Sequence, residues 1–499
     1  MLQFLYNLTN RVSVIFFIFY LMSCGVSKQL PKTSVQQSKD DIILLKKILE
    51  ANHPSLYWYT PKDSIDAAFN EAIQSINDSL THLQLKNKIA AIVSKIGCGH
   101  TGVRFSKNYT KQLTKYKGPI FPLGIKAWSD SLVVLGSAYK NDSIFRRGTI
   151  ITSINNKKPK QLLDSMFTHI STDGYSNNFK NQLVSYNFGN YYRNSFGLDS
   201  SYIITYLDQN KTEQTAVIKN FIAKKDTTTL KPTDNKAAPQ KKPSRKEKRM
   251  ALLATKRNVA IDTALSSAYF NITTFSNAGH RRFYKKAFKQ IKKLGIKNVV
   301  IDLRQNGGGN ILLSTKLAQY ISNNKFKVAD TVARPGGHLA YGKYFKPNLF
   351  YRLTMLFTTS KKADGKKHFG YFERHYFKPK DKYHFKGSVY VMQGGYSFSA
   401  STLFINIIKG QKNIQLVGEE TGGASYGNSA VFLPQITLPN SGIRVGLPLF
   451  RLVMNKDSVK TGRGIIPDIN LPPSSASLRA GYDPKIEYIK SVLKKKVAG

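Results

Sequence analysis

The sequence predicts an α/β protein with a helical N-terminal region, a β-rich middle and an α/β core in its C-terminal half. Three observations carry that expectation. Residues 39–96 space apolar side chains at helical intervals, residues 118–220 break into short β-branched runs, and from Ala260 onward strand patterns alternate with an amphipathic helix. The third is the most informative. Residues 267–275 read as a strand, residues 282–294 as a helix with Phe283, Ala287, Phe288 and Ile291 on one side, and residues 298–303 as a β-branched strand. Strand, helix, strand is a crossover unit, so 298–303 is expected as a central parallel strand whose carboxyl end opens into Gly307, Gly308 and Gly309.

A chain of 499 residues with 41% hydrophobic and 12% aromatic content is globular, with room for roughly two to four domains. Its 76 Lys and Arg against 29 Asp and Glu give +47, which raises nucleic acid as a partner. The charge is spread along the chain, however, and no zinc-finger spacing, RNA-recognition motif or helix-turn-helix signature accompanies it. A generally basic surface facing anionic lipid or glycan is expected, with no specific nucleic-acid partner.

The chain in order begins with Arg11 and an apolar run over residues 12–24, shorter than the roughly 20 residues needed to cross a bilayer. Residues 1–24 read as a signal peptide and 25–38 as a polar tether. Leu21-Met-Ser-Cys24-Gly25 resembles the lipobox of bacterial lipoproteins, which implies export, lipidation of Cys24 and a membrane anchor facing the periplasm. Only Cys98 then remains, so no intramolecular disulfide is expected and packing must supply stability.

The helical region, residues 39–117, opens with Ile42, Leu44, Leu45, Ile48 and Leu49 at helical spacing, stopped by His53-Pro54; further helical stretches span 65–76 and 83–96. It ends in Lys95-Ile-Gly-Cys-Gly-His-Thr101, where His100 sits at a helix-to-strand junction and is open to a structural or a chemical role.

Residues 118–222 carry β runs at 121–125, 131–135, 148–154 and 201–206. The set resembles a PDZ domain, in which a loop like Phe121-Pro-Leu-Gly124 takes a peptide carboxylate on backbone N–H groups while the peptide adds to the sheet edge. The resemblance implies Phe121, Leu123 and Gly124 as peptide-binding positions, and Asn155-Asn156 matches the family's turn. Residues 223–258 form a basic linker or insertion: between Lys224 and Arg257 there are twelve Lys and Arg against three acidic residues, too few apolar groups to order themselves.

The core is expected over 259–499. Its triple glycine is either a plain turn or a loop whose bare N–H groups approach a ligand or a developing oxyanion. Downstream, a buried strand at 387–392 leads into Gly394-Gly-Tyr-Ser-Phe-Ser-Ala-Ser-Thr and an apolar helix. That places a hydroxyl at a helix N-terminus, which suits a nucleophile. It equally suits a cap, with Ser397 or Ser399 bonding the helix that begins near Ala400. The Gly-x-Ser-x-Gly elbow is absent, which excludes the usual α/β-hydrolase arrangement. The nine histidines include no His-x-x-x-His pair, there is no Cys-x-x-Cys, and the glycine loop lacks a following Gly-Lys-Ser/Thr, so neither a metal nor a cofactor is expected. His280 and His338, each flanking glycine, are weaker candidates for the cleft.

Taken in order, Asp302-Leu-Arg-x-Asn-x-Gly-Gly309, Ser399-Ala-Ser401, Gly418-Glu-x-Thr-x-Gly423 and Gly464-Ile-x-Pro-Asp468 resemble the tail-specific, or carboxyl-terminal-processing, serine peptidases. The resemblance implies a crotonase-like (ClpP-like) α/β core, Ser399 as nucleophile, an oxyanion hole from the N–H groups of Gly308 and Ala400, and Asp302, Arg304 and Asn306 supporting the loop. Two positions depart. The lysine that usual members place after the acidic loop is Ala424 here, and the usual Ser-Ala-Ser-Glu run ends in Thr402. A serine still needs a base. The tricorn-type branch of the family takes a histidine from a Gly-His-Thr-like segment ahead of the PDZ, and His100 stands there. No acid occurs in residues 443–448, where that branch places its glutamate, which leaves Glu419 and Glu420 as candidates for the third member. The expected function is a serine endopeptidase acting on peptides or proteins; the alternative is an inactive relative that binds peptides or small ligands.

Overall fold

The computed structural model describes residues 32–128, 131–223, 243–276 and 279–498. The expected signal peptide, Cys24 and the start of the tether lie outside them, as does linker segment 224–242.

The centre of the C-terminal half is a six-stranded sheet in the order Ile469–Asn470, Ile414–Gly418, Ser388–Gln393, Asn298–Asp302, Ser267–Ile272, Arg257–Asp262. All neighbours are parallel except the edge pair Arg257–Asp262 and Ser267–Ile272. Asn298–Asp302 lies between two parallel partners, in register Val299 to Val389 and Val299 to Ala268. Its buried run, with helices His280–Lys293 and Ile311–Ile321, builds one apolar layer around Phe270, Phe288, Val299 and Phe404. The β-branched residues form the strand because both faces are covered.

The three expected N-terminal helices form over Val35–Asn52, Lys62–Gln74 and His82–Ser94, the first and third opened by capping boxes from Ser34 and Thr81. They are not an independent domain. Ile42, Leu45, Phe69 and Ile89 share one core with Val332, Ile443, Val445 and Phe450 of the C-terminal half. Asp41 fastens the contact, accepting bonds from Ser441 N and Oγ and from Asn440 N. This shared core carries His100 to the far half of the chain: after the third helix, Val103–Arg104 pairs antiparallel with Arg444–Gly446.

Residues 123–219 make a five-stranded antiparallel meander with its own core around Ile125, Leu132, Ile151 and Tyr202. The long insert within it folds as helices Pro159–Phe167, Asn178–Tyr186 and Phe188–Phe196. The stretch read as a linker is helical over Arg245–Lys256, because Ser244 and Glu247 close a capping box ahead of good helix formers. That helix runs directly into the edge strand, so order begins ahead of residue 259.

Candidate active site

Ser399 sits where the Ser388–Gln393 strand turns into the Ala400–Ile408 helix, 9% exposed, with φ 54° and ψ −120°. A left-handed φ on a non-glycine residue stores strain that the surroundings must hold. Three hydroxyls hold it. Ser397 Oγ donates to Leu303 O (2.8 Å) and accepts from Gly394 N, Ser401 Oγ donates to Asn306 O (2.8 Å), and Thr402 Oγ1 donates to Ser397 O (3.2 Å). Ser399 occupies the N-cap position, yet its side chain makes no cap bond. It points instead to His100, whose Nε2 lies 3.0 Å from Ser399 Oγ. The capping reading of Ser399 is thereby overturned.

Burial lowers the His100 pKa to about 4, so the ring is neutral near pH 7 and Nε2 can accept a proton. That tautomer places the other hydrogen on Nδ1, which is buried and without a partner. Neither expected carboxylate supplies one. Glu420 is bound to Arg463 and to Gly464 N (2.7 Å), and Glu419 to Lys485 Nζ (3.0 Å). In a chain this basic each acid finds a cation first. Residues 443–448 do approach the histidine, but the position against it is glycine: a Cβ on Gly446 would meet His100 O at 2.4 Å.

Packing orients the ring instead. Phe398 lies against His100 with centroids 5.1 Å apart, and Phe179 stacks on Phe398 at 4.4 Å and 17°. Gly99 makes room, since a Cβ there would stand 2.4 Å from the Phe398 ring.

A carboxyl that sequence reasoning missed is bonded to the residue next to His100. Asp173 is 2% exposed, and its Oδ1 accepts Gly99 N–H at 2.8 Å. Its Oδ2 is buried with no hydrogen-bond partner. Burial raises its pKa to about 7, with the amides of Gly99 and Ala424 pulling the other way. Adjacent backbone bonds, Gly174 N to Gly97 O and Tyr175 N to Gly462 O, stitch this turn to the histidine loop and to a loop of the C-terminal half. Nothing local in the sequence marked Asp173, 74 residues from its partner. The only signal was the unusual length of the insert that carries it. Cys98 is buried, and burial lifts its thiol to about 11, so it packs and does not react near neutral pH.

The glycine loop faces the serine. Gly308, at φ 106°, lies so close that a Cβ would meet Ser399 Cβ at 2.7 Å and Ala400 N at 3.0 Å. Asn306, fully buried, shapes it by donating to Ile272 O (3.0 Å) and accepting Gly308 N–H (2.9 Å). This modifies the expected oxyanion hole. Ala400 N–H, at the helix start, has no acceptor among the described residues, whereas Gly308 N–H is already engaged by Asn306. Arg304 bonds both oxygens of Asp302 and also Asp483 at the start of the C-terminal helix.

The peptide-capture positions do not form an open groove. Phe121 and Leu123 are interior, Phe121 packing on Phe188, Tyr192 and Tyr202. Gly124 is exposed at a β-bulge. The strand edge is closed at Ala127, whose N–H and C=O both bond Ser185 Oγ of the Asn178–Tyr186 helix. The same helix lines a groove of about 600 Å³ over the glycine loop, with Leu183, Tyr186, Thr274, Gly307, Gly308 and Tyr396 on its walls. His280 is buried beside Phe275 and Tyr284, and His338 is exposed; neither bonds Ser399. Among the described residues no cluster of His, Cys, Asp and Glu could hold a metal.

Residues 266–471 match the profile described as Peptidase family S41. Two solved structures share the fold: mature CPAF, at 13% identity over 92% of this chain and 97% of that one with a TM-score of 0.62, and mature CPAF complexed with lactacystin, at 13% identity over 92% and 98% with a TM-score of 0.61. No curated protein matches the chain.

Proposed function

We propose that this chain, whose residues 266–471 match Peptidase family S41, is a serine peptidase of that family and cleaves peptide bonds through an acyl-enzyme on Ser399 with His100 as its base. One observation carries the reading: the hydroxyl at the helix N-terminus is turned away from its cap and onto a neutral imidazole 3.0 Å away. In the first half-reaction Ser399 Oγ attacks the scissile carbonyl as its proton passes to His100 Nε2. The tetrahedral oxyanion is met by Ala400 N–H and the helix dipole, and by Gly308 N–H where it shares its bond to Asn306. His100 then gives the proton to the leaving amine, and water repeats the sequence on the ester. The groove over residues 307–309 holds the peptide, so the β-rich region contributes through its Asn178–Tyr186 helix.

A second reading keeps the fold as a binding protein. Ala424 in place of the usual lysine and the unpartnered His100 Nδ1 favour it. Fluorophosphonate labelling separates the two. Wild type should label at Ser399, Ser399→Ala should not, and His100→Ala should slow labelling by about 10²-fold or more. If wild type and Ser399→Ala label alike, catalysis is refuted. Export and lipid anchoring at Cys24 rest on the lipobox-like motif. Incorporation of labelled fatty acid that survives Cys24→Ala would refute the anchor.

A further inference from the structure

The Asn348–Thr358 helix is amphipathic in the wrong sense for a surface helix. Its inward side presents Met355, 5% exposed, and half-buried Tyr351, while Leu349 (68%), Phe350 (55%), Leu353 (47%), Leu356 (71%) and Phe357 (82%) face outward. These five sit at helical spacing on one face, so the exposure is a continuous stripe. A monomer normally turns such a stripe inward, and a soluble surface of this kind marks an interface.

The surrounding charge decides what covers it. From Lys343 to Lys367 there are seven Lys and Arg and one acidic residue, Asp364, which is shared between His368 and Lys366. Lys343 lies ahead of the helix, Arg352 on its exposed edge, and Lys361 and Lys366 in the hairpin that follows it; all four are exposed. A second copy docking face to face would set this basic rim against itself. An anionic bilayer matches both features: apolar side chains enter the acyl boundary while lysines meet the headgroups. Among the described residues no helix is long and apolar enough to cross a membrane, so the fit is to a helix lying in the interface.

We propose that the Asn348–Thr358 helix is a membrane-docking element that inserts its Leu349, Phe350, Leu353, Leu356 and Phe357 face into anionic bilayers. The proposal is independent of the peptidase reading and of any lipid on Cys24.

The test reads the helix locally. The full chain carrying Cys24→Ser and Leu353→Cys, labelled at the new thiol with an environment-sensitive dye, is mixed with vesicles of phosphatidylcholine alone or with phosphatidylglycerol. The dye should shift to the blue and become shielded with phosphatidylglycerol, weakly with phosphatidylcholine, and less as salt rises from about 0.1 M to about 1 M. Adding Phe350→Glu and Phe357→Glu should lower partitioning by about tenfold or more, with the circular-dichroism spectrum and the urea midpoint unchanged as the control for folding. A dye that stays exposed while the chain sediments with vesicles overturns the proposal. So does equal shielding by both vesicle types, or shielding that grows with protein concentration without vesicles, which would assign the face to a second copy.

Discussion

At the scale of single residues, the site pairs a base with a depressed pKa and an acid with a raised one, both because they are buried. His100 acts as a base only when neutral. With its pKa lowered to about 4, labelling of Ser399 should hold as pH falls through the ordinary histidine range and be lost only towards pH 4. A rate profile with its acid limb near 6.5 would contradict the burial argument. Asp173 titrates the other way, and its Oδ1, the oxygen that accepts Gly99 N–H, is the useful one. Asp173→Asn retains an acceptor and removes the charge that burial disfavours, so it should label within about threefold of wild type. Asp173→Ala leaves the Gly99 amide buried and unpaired, at roughly 1–3 kcal/mol, and should slow labelling by about tenfold as the histidine loop drifts. Equal loss in both variants would assign Asp173 a role for its charge, contrary to a positioning acceptor.

At the scale of elements, the glycine loop and the nucleophile turn fit only because neither carries surplus atoms at their contact. Gly308 needs a left-handed φ of 106° and has Ser399 Cβ, Phe398 O and Ala400 N within 3.0 Å of any Cβ. Gly307 needs neither, its nearest obstacle being the Tyr396 ring at 3.1 Å, which can turn. Gly308→Ala should therefore abolish fluorophosphonate labelling while Gly307→Ala retains it to within about tenfold; equal tolerance would show that the loop does not set the serine. These elements were also the most legible in the sequence. A β-branched strand breaking into glycines, a strand running into a serine turn and an apolar helix, and a Gly-His-Thr junction are local signals, and the folded chain brings Ser399, His100, Gly308 and Ala400 together. What could not be read is what long-range packing decides. Glu419 and Glu420 looked available in sequence but sit beside Lys485 and Arg463 in space. Asp173 and Phe179 arrive from an insert whose length was visible and whose destination was not. The β runs at 121–125, 131–135, 148–154 and 201–206 overlap four strands of the meander, but its fifth, Glu213–Lys219, lies outside them, and the closure of the edge by Ser185 depends on a helix packing 58 residues further along the chain.

At the scale of the whole molecule, the two halves are joined through buried polar groups as well as apolar ones, and this makes the fold sensitive to acid. His53, 4% exposed, accepts Ser55 N–H on Nδ1, so its Nε2 carries the hydrogen donated to Thr101 Oγ1 at 2.8 Å, directly beside His100. Protonation would turn the Nδ1 acceptor into a donor facing another donor. Burial lowers His53 to about 3 and His100, His169 and His280 to about 4, and lowers His82 as well, all below the value near 6.5 of an unfolded chain. A histidine with a depressed folded pKa contributes stability that is present above 6.5 and lost as pH falls towards the folded value. Asp173, raised to about 7, opposes them with one proton between its unfolded value of 3.8 and pH 7. Four histidine protons against one on Asp173 make the unfolded state the better proton binder between about pH 4 and 6.5, and stability should fall with pH by roughly 4 kcal/mol per unit there. The net charge of +47 adds surface repulsion in the same direction, and the two contributions separate with salt. In urea titrations between pH 6.5 and 5, added salt should raise the midpoint at every pH without removing the slope. His53→Gln keeps one acceptor and one donor but cannot titrate, and should flatten the slope by about 1.4 kcal/mol per pH unit. If His53→Gln retains the full wild-type slope, or if salt alone abolishes it, surface charge and not the buried histidines governs acid unfolding.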